Sequence, residues 1–306
     1  MFSGFPFIVI VGSISLTYGS QGPIYGIGFA FLHYGLADYG WVFFVFLPFS
    51  LGIAVGKMER QKWAYLGLAI AILIFVGLLI AGGLEGIVCV IMTIPIVVPL
   101  VWLGTLTNKY LTKKEIIKQK NNLYTFIFPL LFTLFGAPIE KYFYTNKVEI
   151  IEVKTERIYP YTTEQVYDAI KSVDTLIADK PFLMKLDLPI PNKCILEKEE
   201  VGGLRTCYFS GGTITEKITQ LEKAKVLRMD VIDYKLTGRK WLGFKEAIYY
   251  FDKVGQDSCK LTRLTTYTSV LKPRIYWQPL EKIGIGHEHD YVFDNLKNDL
   301  KKKYGR

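Results

Sequence analysis

The sequence predicts two unlike parts in one chain: an α-helical transmembrane region, then an α+β domain in which successive strands are closed by a long helix. Three observations carry this. Up to about residue 140 the chain is built of apolar runs such as WAYLGLAIAILIFVGLLIAGG (63–83), about 20 residues without a charge and enough to cross a hydrocarbon core of roughly 30 Å. After that point charge arrives every few residues, and apolar side chains alternate with polar ones as they do in half-buried strands. The final stretch, from about 280 to 303, sets its apolar residues at helical spacing.

The averages over 306 residues, 50% hydrophobic with a mean hydropathy of +0.24, conceal this contrast. In the first part the expected spans are about 5–33, 41–56, 63–82, 86–106 and 123–138, five in all. The earliest is the least regular, since 5–18 is short and 23–36 is rich in glycine. A cleaved signal peptide fits poorly there, because no basic segment precedes the apolar run. The loop KMERQK (57–62) and the loop NKYLTKKEIIKQK (108–120) are basic, whereas the loop between them holds Glu85 and no Lys or Arg. Positive loops stay in the cytoplasm. The span 123–138 then delivers the second part to the outer side, making this an integral, multi-pass cytoplasmic-membrane protein with an extracytoplasmic C-terminal domain. Asp38, Glu85 and His33 sit at span ends and the span centres are apolar, which favours an anchor over a transporter. Pro95 and Pro99 are expected to kink the fourth span.

The second part, 148–306, has the size of one domain with its own core. VEIIEVKTERIY reads as its first strand. A helix opens at Thr163 and runs to about Lys171, and a second short helix is expected over 175–179. The stretch PFLMKLDLPIPNK reads as a loop, because Pro181, Pro189 and Pro191 oppose a regular helix. Five strands follow, at 204–209, 213–221, 226–234, 246–254 and 260–270, with Gly211, Gly212 and Gly255 in turns. On the closing helix Ile285, His289, Val292, Phe293, Leu296 and Leu300 share one face.

The net charge of +9 is spread over both parts without a Lys/Arg block interleaved with aromatics, so nucleic acid is not expected as a partner. Cys89, Cys194, Cys207 and Cys259 lack C-x-x-C spacing, so no metal and no cofactor are expected. A Cys207–Cys259 bridge is conceivable in an exported domain, but the cysteines are expected reduced and packed. Side chains alternate along a strand, which puts Arg205, Cys207 and Phe209 on one face and Ile214, Glu216 and Ile218 on another. A hairpin through 210–212 that matches these faces sets Cys207 opposite Glu216. Arg205 then becomes a diagonal neighbour of Glu216, within reach of an ion pair on the inner side of the sheet. That pair reads either as a completed hairpin or as the polar anchor of an apolar pocket. His289 reads either as a satisfied core residue or as a ligand contact able to move a proton.

The order of one strand, two short helices, a run of antiparallel strands and a long C-terminal helix resembles the helix-grip superfamily that includes the START, Bet v 1-like and polyketide cyclase families (SRPBCC). More narrowly, it resembles membrane-attached bacterial members without assigned activity. The hairpin pattern R-x-C-x-F-x-x-G-x-x-x-E-x-I is met by Arg205, Cys207, Phe209, Gly212, Glu216 and Ile218. T-x-Y followed by P-x-x-Y-W is met by Thr265, Tyr267, Pro273, Tyr276 and Trp277, and the closing histidine is His289, with Val292 and Phe293 after it. Tyr291, where relatives carry arginine, and a short segment around Trp241 depart from the pattern. The resemblance implies a curved antiparallel sheet wrapped on the last helix. It also implies a hydrophobic, lipid-like or polycyclic ligand among Arg205, Cys207, Phe209, Glu216, Tyr267, Tyr276, Trp277 and His289. Two other readings stay open: a filled-core module that docks a protein partner, and a cyclase- or hydrolase-type enzyme using His289 or Glu216 as base. No G-x-S-x-G, H-E-x-x-H or phosphate-loop motif supports the last, and no catalytic residue is assigned.

Overall fold

A computed structural model describes residues 39–58, 61–114, 124–144, 149–173, 175–236 and 241–305. The expected span 5–33, His33, Asp38 and the second half of the basic loop, 115–120, lie outside the described residues. The chain divides into two compact units, one of 1–147 with 270–277 and one of 148–269 with 278–306.

The first unit is helical. A π-helical turn, Val42–Phe46, runs into α1 (Leu47–Gly56), followed by α2 (Gln61–Ala81), α3 (Ile87–Lys113) and α4 (Tyr124–Tyr144). Among the described residues two helices, at Lys62–Ala81 and Ile87–Lys113, are long and apolar enough to cross a membrane, and Val42–Gly56 is a shorter apolar helix. Pro95 and Pro99 both lie inside the continuous α3. α1 and α3 approach backbone to backbone through small residues. A Cβ on Gly52 would stand 2.1 Å from the Val101 carbonyl oxygen, and one on Gly104 would stand 2.1 Å from that of Phe49. Thr105 donates to the Gly52 carbonyl across the same contact at 3.1 Å. Small residues at such a contact let two helix backbones approach closely. The Glu140 carboxylate accepts from the Trp41 and Val42 amides at 2.7 and 2.9 Å, satisfying donors left open at a helix start.

The second unit is α+β: a curled antiparallel half-barrel holding a long C-terminal helix. Its strands are β1 (Ile150–Tyr159), β2 (Pro191–Leu196), β3 (Leu204–Phe209), β4 (Gly212–Glu222), β5 (Val226–Leu236), β6 (Leu242–Lys253) and β7 (Cys259–Ser269), in spatial order β1-β7-β6-β5-β4-β3-β2. Bulges at Ile232 in β5, opposite Thr215/Glu216, at Ile218/Gln220 in β4 and at Phe244/Glu246 in β6 bend the strands, the usual device for curling a sheet. α5 (Thr163–Ile170) starts on a capping box in which the Thr162 hydroxyl and the Gln165 side chain serve each other's backbone amides. After α6 (Phe182–Leu186), the chain closes with α7 (Arg274–Tyr304), whose residues from 278 onward, Pro279 among them, belong to this unit.

Three local expectations are corrected. The segment 175–179 is not helical, because its amides are taken by α7: the buried Asn295 Oδ1 accepts from the Ile177 and Ala178 backbone at 2.6 and 2.8 Å. The proline-rich stretch is more ordered than a loop. Pro181 precedes the short helix α6 and Pro191 is the first residue of β2, places where a missing N–H is tolerated. The β3–β4 hairpin is tighter by one pair, with Phe209 opposite Gly212 and Arg205 directly opposite Glu216, so Cys207 faces Ile214. Gly212 permits this: at φ +143° its absent Cβ would lie 1.7 Å from the Lys235 carbonyl oxygen, a conformation open to glycine alone.

The main core of this unit lies between the α7 face of Val292, Phe293, Leu296 and Leu300 and the inward residues of the sheet, among them Leu227, Met229, Tyr249, Leu261 and Tyr159. Each such side chain stabilises the fold by about 1.5–3 kcal/mol when fully buried. β1 holds the helix in place as well, since Arg157 pairs with Asp290 at 3.0 Å and with Asp294, and the Tyr159 hydroxyl donates to the Phe293 carbonyl at 2.9 Å.

Candidate functional site

Alternation along β7 turns Cys259, Leu261, Arg263, Thr265, Tyr267 and Ser269 inward, and all six are buried. Two apolar clusters on the concave face are separated at the level of Arg263 and Thr265. One is the main core just described. The other, near the end where β1 begins, gathers Ile151, Val153, Tyr267 and Ile285, with Leu242 and Phe244 partly buried against them. Between the two runs a belt of polar side chains, one or two from each of β1, β3, β4, β6, β7 and α7: Thr155, Arg205, Glu216, Tyr249, Arg263, Thr265, Glu288 and His289.

The belt is tightly paired. Arg205 Nε donates to Glu216 Oε2 at 2.8 Å, and both residues are more than nine-tenths buried. Arg263 holds Glu288 with both terminal nitrogens, at 3.2 and 2.9 Å. The two guanidiniums flank the Tyr249 ring at 5.5 and 5.6 Å from its centroid, a cation–π arrangement strengthened by exclusion of water. Burial works against the charge on Arg205, but the Glu216 carboxylate outweighs it and holds the guanidinium more firmly protonated than usual. Burial likewise opposes the charge on Arg263, and Glu288 reverses the balance. Some donor capacity is left over. Arg205 Nη2 reaches the Tyr249 hydroxyl only at 3.5 Å, the outer limit of a hydrogen bond. Arg205 Nη1 and Arg263 Nε have no hydrogen-bond partner among the described residues.

His289 is wholly buried, with Thr155 Oγ1 2.8 Å from its Nδ1 and Thr265 Oγ1 2.8 Å from its Nε2. Desolvation first, and the Arg263 charge second, push its pKa well below the ordinary 6.5. The ring is neutral at pH 7 and fixed by two hydroxyls. Beyond it, Glu281 accepts from the Tyr267 hydroxyl at 3.1 Å and from the Ser269 hydroxyl at 2.6 Å.

Arg205, Glu216 and His289 therefore share the belt, while Tyr267 belongs to the smaller apolar cluster and the half-buried Phe209 stands at the hairpin end of β3, opposite Gly212. Cys207 is bonded to Cys194 in a disulfide between β2 and β3, which corrects the expectation of reduced cysteines. Cys259 is free and buried, its thiol pushed up to about 12 by desolvation. Tyr276 and Trp277 belong to the first unit. There Trp277 packs on Phe44 with ring centroids 4.7 Å apart, and the Tyr276 hydroxyl donates to the Met92 carbonyl. The sequence reading missed Arg263, Tyr249, Glu288 and Glu281. For Arg263 the signal was present: it has the same parity as Leu261 and Tyr267 in CKLTRLTTYTS, so a charged residue had to point inward. Among the described residues no group of three His, Cys, Asp or Glu side chains is placed to hold a metal ion.

No family model matches the chain, and no curated protein matches it. Among solved structures, it is similar to norcoclaurine synthase from Thalictrum flavum in complex with dopamine and hydroxybenzaldehyde, with 14% identity over 51% of this chain and 88% of that one and a TM-score of 0.35. It is similar to the ZhuI aromatase/cyclase from a Streptomyces species, with 11% identity over 51% and 96% and a TM-score of 0.37. A Staphylococcus aureus protein of unknown function shows 13% identity over 52% and 99%, with a TM-score of 0.38. Likenesses this distant carry no argument about chemistry; the residues of the belt have to supply it.

Proposed function

We propose that the chain is a membrane-anchored helix-grip protein, similar to the SRPBCC and START-like group, that binds or transfers a hydrophobic ligand at the outer face of the cytoplasmic membrane. The observation that carries this reading is the spare donor on Arg205. A buried polar atom without a partner is costly and uncommon in a folded domain. Here it lies on the inner face of the sheet beside Glu216 and Tyr249, where a ligand with one polar atom supplies what the protein withholds. The ligand body lies against Ile151, Val153, Tyr267 and Ile285, with Phe209, Ile214 and the Cys194–Cys207 disulfide on the β3–β4 side and Arg205, Glu216 and His289 as the floor. Few polar groups in an apolar surround are the usual makeup of such sites.

Anchoring is supported by the outward character of the two long helices: only 22% and 17% of their apolar windows are buried, where a soluble core helix would hide most of its apolar surface. The outward placement of the second unit rests on the basic loops and, independently, on the disulfide, since such bonds persist in oxidising compartments. A reporter fused after the C-terminus is active only outside the cytoplasm in this arrangement; activity only inside refutes it. The second reading, a filled core that docks a protein, draws on the large side chains already packed there, Tyr159, Tyr167, Tyr249, Tyr291 and Phe293. Native mass spectrometry of the detergent-purified full chain, incubated with a total membrane lipid extract, separates the two. A stoichiometric adduct supports ligand binding, and a clean apo spectrum from folded protein moves the reading to docking.

A further inference from the structure

The charge balance of the belt specifies the polar end of the ligand. The guanidiniums of Arg205 and Arg263 are each matched by one carboxylate, Glu216 and Glu288. His289 is neutral. An ionised head group entering here would lose its hydration and meet no unmatched positive charge, while facing the Glu216 and Glu288 carboxylates. What the belt offers instead is hydrogen-bond donors without net charge, Arg205 Nη1 and Arg263 Nε, both on residues more than nine-tenths buried.

We propose that, given the ligand-binding reading above on which this rests, the ligand carries a neutral hydrogen-bond acceptor, a carbonyl oxygen of ester, ketone or amide type, which takes the Arg205 Nη1 donor, and that ionised amphiphiles are excluded. Glu216 acts as the positioning residue, because its bond to Nε fixes the guanidinium plane and leaves Nη1 as the donor to spare. Arg205 thereby determines specificity through its hydrogen-bond geometry, with its charge already spent inside the protein.

The test uses the full chain in detergent micelles and three probes of equal chain length: methyl palmitate, the permanently ionised hexadecyl sulfonate, and hexadecane. Apparent affinities are read by native mass spectrometry in competition. Methyl palmitate is expected to bind about tenfold or more tightly than either of the others, the scale of one buried charge-assisted hydrogen bond. Arg205→Lys keeps a cation for Glu216 but loses the planar fork. It is expected to bring methyl palmitate to within about threefold of hexadecane. The comparison on the unmodified protein needs no variant, so a folding defect in Arg205→Lys does not cloud it. Sulfonate binding as tightly as the ester overturns the proposal and leaves the ligand-binding reading intact, as does an ester preference that survives in a folded Arg205→Lys protein. Failure of all three probes to bind overturns the ligand-binding reading and this proposal with it.

Discussion

Replacing Glu216 by leucine strands the Arg205 guanidinium. The carboxylate it loses is 2.8 Å away and both partners are almost without solvent contact, so water cannot take the vacated role without opening the sheet. Removing one member of a buried pair typically costs about 3–5 kcal/mol. For a domain of about 150 residues each kcal/mol lowers the melting temperature by roughly 2–4 °C, so Glu216→Leu is expected to lower it by about 6–20 °C. The double variant Arg205→Met/Glu216→Leu removes both charges and fills the space with apolar volume. Its stability is expected to return to within about 1 kcal/mol of the starting protein or to exceed it, because the desolvation of both ions is relieved. Thermal unfolding of the full chain in detergent, followed by circular dichroism in the β-sheet region, supplies all four corners of the cycle with Arg205→Met. A single Glu216→Leu variant within about 1 kcal/mol of the parent, or a double variant as unstable as the single, refutes the claim that the pair is desolvated. A rescued double variant that no longer prefers an ester probe would place the pair in recognition and not in folding.

Two further outcomes concern His289 and the disulfide. His289 stays neutral in the folded protein well below pH 6.5, while in the unfolded chain it takes up a proton near that value. Stability is therefore full above about pH 6.5 and declines as the pH falls below it, by up to about 1.4 kcal/mol per pH unit. Melting curves between pH 7 and 5.5 are expected to show this loss, and His289→Gln is expected to flatten it; an unchanged slope in the variant refutes the assignment. The disulfide closes a segment with a sequence separation of 13, worth about 3 kcal/mol in the chain-entropy picture. Reductant is expected to lower the melting temperature of the parent and leave that of Cys194→Ala/Cys207→Ala unchanged, whereas equal sensitivity of the two refutes a disulfide contribution.

The elements most legible in the sequence are those set by local pattern. Strand β3 has the bounds expected from alternation, and Ile285, His289, Val292, Phe293, Leu296 and Leu300 are all buried on α7 as their spacing implies. What was hidden depended on partners distant in the chain. Nothing in the residues around 177 tells that Asn295, over a hundred positions later, takes two of their amides and keeps them out of a helix. The cysteine pairing was missed for a related reason: with 181–193 read as loop, β2 did not exist to stand beside β3. The Arg205–Glu216 pair was foreseen from face matching even though the register was one pair off. A two-residue slip keeps the same faces together, and only a one-residue slip would have separated them. The balance of the belt, with Arg263 against Glu288 and Tyr249 between the two arginines, needed four elements, β3, β6, β7 and α7, assembled at once.

The polar belt also divides the labour of the domain. The residues that hold the fold, around Phe293, Leu227 and Leu261, lie on one side of it, and those proposed to meet a ligand, around Tyr267 and Ile285, lie on the other. Substitutions on the ligand side change volume next to a boundary already closed by its own ion pairs, so they reach the folding core only through that boundary. On the proposed ligand-binding role, such an arrangement lets recognition drift between descendants while foldability is inherited unchanged.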